Sequence, residues 1–318
     1  MNLAARGLVG AVHLAPRVPE ALVRALAAAG ADAAWLRRGH GVRRLEANLA
    51  TVRPDLSPRQ IRSLSRAGMQ NYLRYYAEAF TLAGRTPAQI DARVRVSGTE
   101  GILAETAAGR SVAVALAHQG NWDLAGAWAT RNLAPITTVA ERLEPPEVYD
   151  AFYGLRGAIG LRILPLDSGH DVFRELVRTA HAGGYLIPLL ADRDLTERGV
   201  EVDLCGRRAR VAAGPAALSV ATGVPLYAAA LRHERLHGAR RRSARSRWGL
   251  RIEFTRVEAP AGTPRAELVR VLTQGWVDVL GADIAAHPGH WHMLQRVFVA
   301  DLDASRLPSV DGAGGGAR

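Results

Sequence analysis

The stretch AVALAHQGNWDLAGAW, residues 113–128, decides how the fold is read. A smooth apolar run ends in His118, turns through Gly120 and Asn121, and becomes apolar again after Asp123. The run SVAVALA (111–117) is short and unbroken, as a strand buried on both faces of a parallel sheet would be. His118 then stands at the carboxyl end of that strand, where open α/β sheets place their ligands. Gly120 permits a tight turn, Asn121 is a good N-cap, and Trp122 starts a helix with Asp123 in its first turn. The free N–H groups there favour a charged carboxylate. The spacing lets Asp123 fold back onto the imidazole, fix its tautomer and stabilise the imidazolium. That is a general base with an orienting acid and no adjacent nucleophile, so the nucleophile would be a substrate hydroxyl. A bare His-x4-Asp is more often a histidine beside a helix start with an aspartate there for the dipole. The full string HQGNWD at a strand-to-helix junction is far more specific.

Outward from this seam, short apolar runs alternate with helical stretches from about residue 94. SVAVALA leads to WDLAGAWATRNL, PITTVA to PPEVYDAFYGLRGAIG, LRILPL to HDVFRELVRTAHAG, and YLIPLLA follows. Strand and helix in turn argue for parallel βαβ units. Residues 199–211 alternate around Cys205-Gly206 and read as a hairpin. Gly214-Pro215 opens a helix to about Thr222, PLYAAAL and WGLRIEFTRV are two more strands, and 264–286 is a last long helix. Before the seam, 18–50 reads as two helices broken near Gly39–Gly41. A third covers 58–83, opened by the cap Ser57 and Pro58, with Met69, Leu73, Tyr76 and Phe80 at helical spacing. This stripe fits packing against the rest of the protein better than a face turned to a membrane. The expected fold is α/β: a central, largely parallel β-sheet flanked by helices. Residues 1–92 form a helical, membrane-docking part integral to the fold, 93–303 the core, and 304–318 a disordered tail.

The 318 residues contain 41 basic side chains, all arginine, against 30 acidic ones, for a formal net charge of +11. Such a balance points to anionic partners: nucleic acid, an acidic membrane surface or phosphorylated small molecules. Guanidinium forks suit phosphate and carboxylate. Nucleic-acid motifs and aromatic stacking platforms are absent, so no nucleic acid is expected. Cys205 is the only cysteine, which rules out an intramolecular disulfide and fits a reduced compartment. No apolar run reaches the roughly 18 residues of a spanning helix. The N-terminal stretch faintly resembles a secretory signal, but His13, Pro16 and Arg17 interrupt it. A cytosolic protein with peripheral membrane contact is expected.

HQGNWD, then ADRDLTERGVEVDLCGRRARVAAGPAALSVATGVPLY, and later HPGHWHMLQRVF together resemble the lysophospholipid/lipid A-type acyltransferases. Within them the sequence is most similar to the phosphatidylinositol mannoside acyltransferases of actinobacteria, over roughly residues 5–303. The resemblance implies a glycerol-3-phosphate acyltransferase-like sheet, acyl-CoA (palmitoyl-CoA) as co-substrate with no cofactor, and a mannose hydroxyl of a mannosylated phosphatidylinositol as acceptor. It also implies peripheral attachment to the anionic inner leaflet, at the cytoplasmic face of the cell membrane. The residues agree: His118 takes the hydroxyl proton as oxygen attacks the thioester, and Asp123 holds the ring. The N–H groups around Gly120, Asn121 and Trp122 are candidates for receiving the oxyanion. No metal is required, because thiolate is a good leaving group.

By the same resemblance, Glu141 with Arg142, after PITTVA, and Arg156, in the next helix, hold the acceptor headgroup and its phosphate; a surface ion pair is the plain alternative. Asp192 ends YLIPLLA where the mannoside enzymes carry a glutamate acting near the histidine, so the shorter aspartate tests the reach. Arg193 is a phosphate candidate, with a salt bridge to Asp194 as the alternative. Arg210 is a weaker phosphate candidate than a solvated arginine. Within the class, the rival acceptor is another lysophospholipid or glycolipid.

HERLH (233–237) matches the zinc-peptidase HExxH, but it follows a strand and runs into Gly238 and an arginine-rich segment. A coincidence is the better reading. HPGHWH (287–292) is broken by proline and glycine and is expected to be structural. The segment RHERLHGARRRSARSR (232–247), with seven arginines, is expected to be a mobile loop, suited if it acts to anionic headgroups. No G-x-S-x-G elbow or P-loop occurs.

Overall fold

The computed structural model describes residues 10, 12, 14–141, 145–166, 171–194 and 199–302. Arg142 and the tail 304–318 lie outside them. Four helices come first: α1 (Glu20–Arg37), α2 (His40–Val52), α3 (Pro58–Leu82) and α4 (Pro87–Arg93). The Ser57 side chain accepts from the Gln60 amide, and the Gln60 side chain accepts from the Ser57 amide, closing the start of α3. Met69 on that helix is buried among the first helices, and Phe80 is buried with Val148, Phe152 and Leu155 from further along the chain. The stripe faces the protein.

The chain then runs β1 (Val94–Ser97), α5 (Glu100–Ala107), β2 (Val112–Leu116), α6 (Trp122–Asn132), β3 (Ile136–Glu141), α7 (Pro146–Ala158), β4 (Leu161–Leu166), α8 (Val172–Ala182) and β5 (Leu186–Leu190). A two-stranded hairpin, β6 (Val200–Leu204) and β7 (Arg207–Val211), follows. Its turn holds Cys205 at φ 55° and Gly206 at φ 77°, the left-handed pair a tight hairpin needs. Next come α9 (Gly214–Thr222), β8 (Leu226–Arg235), α10 (Gly238–Ala244), β9 (Trp248–Val257) and α11 (Leu268–Ala286). Sequence reading finds most of these. It passes over α4, β1, α5 and α10, which are short and carry little periodicity.

The seven-stranded sheet has the order β1-β9-β8-β2-β5-β3-β4. Every pairing is parallel except the β8–β9 hairpin. β2 lies at the centre and sends alternate residues to opposite faces. Ala113, Ala115 and Ala117 join one core with Ile187, Leu189 and Trp276 of α11, whereas Val112 and Val114 join the other with Leu124 and Ala127 of α6. Both faces are covered, so the strand reads as one apolar run.

The arginine-rich segment corrects the expectation of a mobile loop. β8 and β9 extend as a hairpin to Arg235 and Trp248, with α10 across their tip. Arg240 Nε donates to the Ala92 carbonyl at 3.3 Å, and Ala244 is buried against the first helices. Long strands that pair with each other satisfy their backbone groups, which a loop of the same length would leave to water. HERLH thus begins on a strand, with His237 beyond its end as N-cap of α10, so the two histidines do not share a helix face. Among the described residues no helix is long and apolar enough to cross a membrane, and no group of three or more His, Cys, Asp or Glu could hold a metal ion.

Candidate active site

The register Leu116↔Leu190 sets β2 and β5 side by side, so residues two positions beyond each strand end become neighbours. These are His118 and Asp192. Asp192 Oδ1 lies 2.6 Å from His118 Nδ1, and Oδ2 accepts from the His118 amide at 3.0 Å. The indole N–H of Trp291 donates to the same Oδ2 at 2.8 Å. A carboxylate only accepts, so the ring carries its proton on Nδ1 and presents a bare Nε2. Asp192 is buried, whereas the imidazole remains 30% exposed and open to a substrate. Burial alone would push the Asp192 carboxyl up, but the charge that His118 carries when protonated, the ring N–H, the indole and the amide together hold it below the ordinary carboxylate value.

This overturns the pairing expected of Asp123. The Asp123 carboxylate, 1% exposed, accepts from Tyr75 Oη at 2.8 Å and Arg156 Nε at 2.9 Å. In the first turn of α6 its side chain points toward α3 and α7, where the buried Tyr75 hydroxyl and the half-buried Arg156 guanidinium donate to it and the guanidinium balances its charge. Burial would lower the Arg156 pKa, but Asp123 and Tyr75 carry it above the ordinary arginine value. The three residues tie the start of α6 to α3 and α7, and Tyr75 stacks on Trp122 with ring centroids 4.0 Å apart. Asp123 therefore positions the His118 turn through the backbone. Arg156, expected on the acceptor phosphate, has its Nε committed to this cluster.

The turn itself is tightly held. Gly120 sits at φ +57°, and a Cβ there would come within 2.8 Å of the Leu231 carbonyl oxygen. Its N–H donates to the His290 carbonyl at 3.1 Å, so of the three proposed oxyanion donors Gly120 is already occupied. The Asn121 side chain accepts from the Leu124 amide at 2.9 Å and donates to Glu78 at 2.9 Å. On the other side, the His292 amide donates to the His118 carbonyl at 2.7 Å. HPGHWH is thus a strap paired against the His118 turn, as the structural reading of that string expects. Asn71 holds the strap at Gly289, and Asn48 of α2 holds the chain just beyond it at Met293 and Gln295, each at 2.7–2.8 Å. The strap delivers Trp291 to Asp192. Sequence reading quotes that tryptophan within a motif but assigns it nothing, and Tyr75 is invisible because it lies beside the apolar stripe of α3 rather than on it.

His233 and His292, both buried, cluster behind the turn with the half-buried His290. His290 is held at about 4 and His292 at about 3, chiefly by burial and then by neighbouring cations. Glu141 and Arg193, at the carboxyl ends of β3 and β5, pair with each other at 3.2 Å on the rim. Arg193 does not take the alternative bridge to Asp194. Arg210 is neither a phosphate ligand in waiting nor a solvated arginine: it is buried, 3.4 Å from Asp194 and 3.3 Å from the Gly199 carbonyl.

A buried aspartate hydrogen-bonded to a partly exposed histidine at a strand end is an arrangement that general-base chemistry can use. A sequence profile of the bacterial lipid A biosynthesis acyltransferases matches residues 7–299. The chain belongs to that family. The acyltransferase is 34% identical over 300 residues to the phosphatidylinositol mannoside acyltransferase of Mycolicibacterium smegmatis, covering 94% of this chain and 93% of that one. To the phosphatidylinositol mannoside acyltransferase of Mycobacterium tuberculosis it is 35% identical over 294 residues, covering 91% and 86%. The expected family resemblance and the mostly parallel, helix-flanked sheet both hold for this acyltransferase.

Proposed function

We propose that this acyltransferase moves a fatty acyl chain from acyl-CoA to a mannose hydroxyl of a phosphatidylinositol mannoside, with His118 as general base and Asp192 as its orienting acid. The contact of 2.6 Å between His118 and Asp192 carries the mechanism, and the names of the two relatives carry the acceptor. The mannose O–H gives its proton to Nε2 as its oxygen attacks the thioester carbonyl carbon. The imidazolium that forms is stabilised by Asp192. The backbone N–H groups of Asn121 and Trp122 are assigned to the oxyanion, with Gly120 withdrawn from that role. Collapse breaks the C–S bond, and the thiolate takes the proton from His118, so ester and CoA thiol leave and the base is restored.

Glu141 and Arg193 at the rim are assigned to the acceptor's hydroxyls and phosphate, together with the side of the Arg156 guanidinium that Asp123 does not hold. Attachment to the cytoplasmic face of the membrane is peripheral, supported by the exposed leucines Leu14, Leu22, Leu26 and Leu36 at the N-terminal helices. The test is thiol release from palmitoyl-CoA with and without purified mannosylated phosphatidylinositol. Acceptor-dependent release that His118→Ala abolishes is expected. Near-normal turnover in that folded variant refutes the mechanism, and equal turnover on a plain lysophospholipid refutes the acceptor.

A further inference from the structure

A cationic cavity lies apart from His118 and Asp192. Between α1, α3 and the β8–β9 hairpin opens a cavity of about 970 Å³ lined by fifteen residues. Seven of these are arginines and none is Asp or Glu. Arg74 of α3 forms its inner wall, with its guanidinium 3.6 Å from the centre of the Trp248 ring and that of Arg235 4.5 Å from the same centre. Arg74 donates to the Asn71 side chain, and no carboxylate lies within 4.0 Å of it among the described residues. The same is true of Arg241, Arg242, Arg245 and Arg247, all exposed around the mouth. Burial pushes the Arg74 pKa down to about 10, against the charge of Glu78, and the nearby charges of Arg235 and Arg24 add to the fall; among the described residues Arg24 is the one cavity arginine with a carboxylate in contact, Glu20 at 2.7 Å. A protein does not gain stability by gathering like charges around a hollow, so the cost points to an anion that offsets it.

The location selects among anions. α1 supplies Arg24 to the wall, and on the same helix Leu22 and Leu26 are 51% and 64% exposed. Apolar side chains beside a guanidinium-lined hollow match a lipid at a bilayer surface, where acyl chain and phosphate lie within one side-chain length of each other. We propose that this cavity binds the phosphate headgroup of an anionic phospholipid, and so seats the enzyme on the membrane at a site separate from the one that performs transfer. Arg74 and Tyr75 are neighbours on α3. One lines this hollow and the other holds Asp123, so the seat and the catalytic turn share a rigid helix. The inference rests on the peripheral-membrane reading above.

The experiment measures binding of the full chain to vesicles of phosphatidylcholine alone and of phosphatidylcholine mixed with phosphatidylinositol. Arg241→Ala with Arg242→Ala removes two cavity arginines. Arg174→Ala with Arg178→Ala removes two exposed arginines on α8 that do not line it and that pair with Asp171 and Glu175. Near an anionic surface each arginine is worth about fivefold, so the cavity pair is expected to weaken binding to the phosphatidylinositol vesicles about 25-fold. The α8 pair should change it less than about twofold, and Arg245→Ala alone should reproduce part of the cavity effect. Thiol release from detergent-dispersed substrates should be unchanged in all of them. Equal losses from both pairs would mean diffuse charge and overturn the site. Unchanged vesicle binding with weakened CoA binding would assign the cavity to CoA phosphates instead. If the wild-type chain ignores both kinds of vesicle, the membrane reading falls with it, while thiol release still tests the chemistry separately.

Discussion

Asp192→Asn turns one carboxylate oxygen into an amide nitrogen and leaves the side chain's shape intact. Three N–H groups point at that carboxylate: the His118 ring on Oδ1, and the His118 amide and Trp291 indole on Oδ2. The new amide nitrogen must face donors at one of the two positions. Each buried N–H left without an acceptor costs about 1–3 kcal/mol, so the nitrogen settles at the Oδ1 position, opposite one donor instead of two. The ring relieves that clash by moving its proton from Nδ1 to Nε2. Nε2 is the atom that has to accept from the substrate, and the base is lost. The same change at the orienting aspartate of a serine protease lowers turnover about 10,000-fold, and a loss of about 1,000- to 10,000-fold is expected here. Thiol release in the presence of saturating acceptor reads the rate, and circular dichroism reads the fold. A folded variant within tenfold of wild type would refute the pairing. So would a larger loss in Asp123→Asn than in Asp192→Asn at equal folded fraction.

Asp123→Asn should act on stability: it leaves the Arg156 charge buried without its partner and is expected to cost about 3 kcal/mol or more in urea unfolding, with the pH dependence of the surviving rate unchanged. Gly120→Ala must accept a left-handed backbone and a Cβ against the Leu231 carbonyl, a penalty of about 2 kcal/mol or more, and a wild-type urea midpoint would contradict the geometry. Acid should weaken the fold well before its carboxylates titrate. His233, His290 and His292 all have folded pKa values depressed by burial, so below the ordinary histidine value the unfolded chain binds protons that the folded one refuses. Stability is then lost as pH falls from about 6.5 toward 4, by about 1.4 kcal/mol per pH unit for each histidine. Glu78, raised by burial, acts in the opposite direction, because the folded chain binds its proton before the unfolded chain does. A flat unfolding free energy across that range would count against the buried cluster.

Local patterning carried most of the elements. SVAVALA announces a strand buried on both faces, Ser57-Pro58 opens α3 where it should, and Cys205-Gly206 turns the hairpin, because each of these depends on side chains within one turn or one pleat of each other. The seam at HQGNWD likewise places His118 at a strand end from adjacent residues alone. The identity of its partner is another matter. Asp123 is close in sequence but lies on a helix start whose direction takes it to Tyr75 and Arg156. Asp192 is 74 residues away and becomes a neighbour because β5 pairs with β2 in a register no local pattern encodes. Trp291 arrives from 99 residues further along, on a strap pinned by the N-terminal helices. Sequence by itself determined most of the strands and placed His118 at the end of one. Only the order in which the strands lie side by side decided which carboxylate that histidine meets, since hydrogen bonds between parallel strands join segments whose sequences carry no mark of one another.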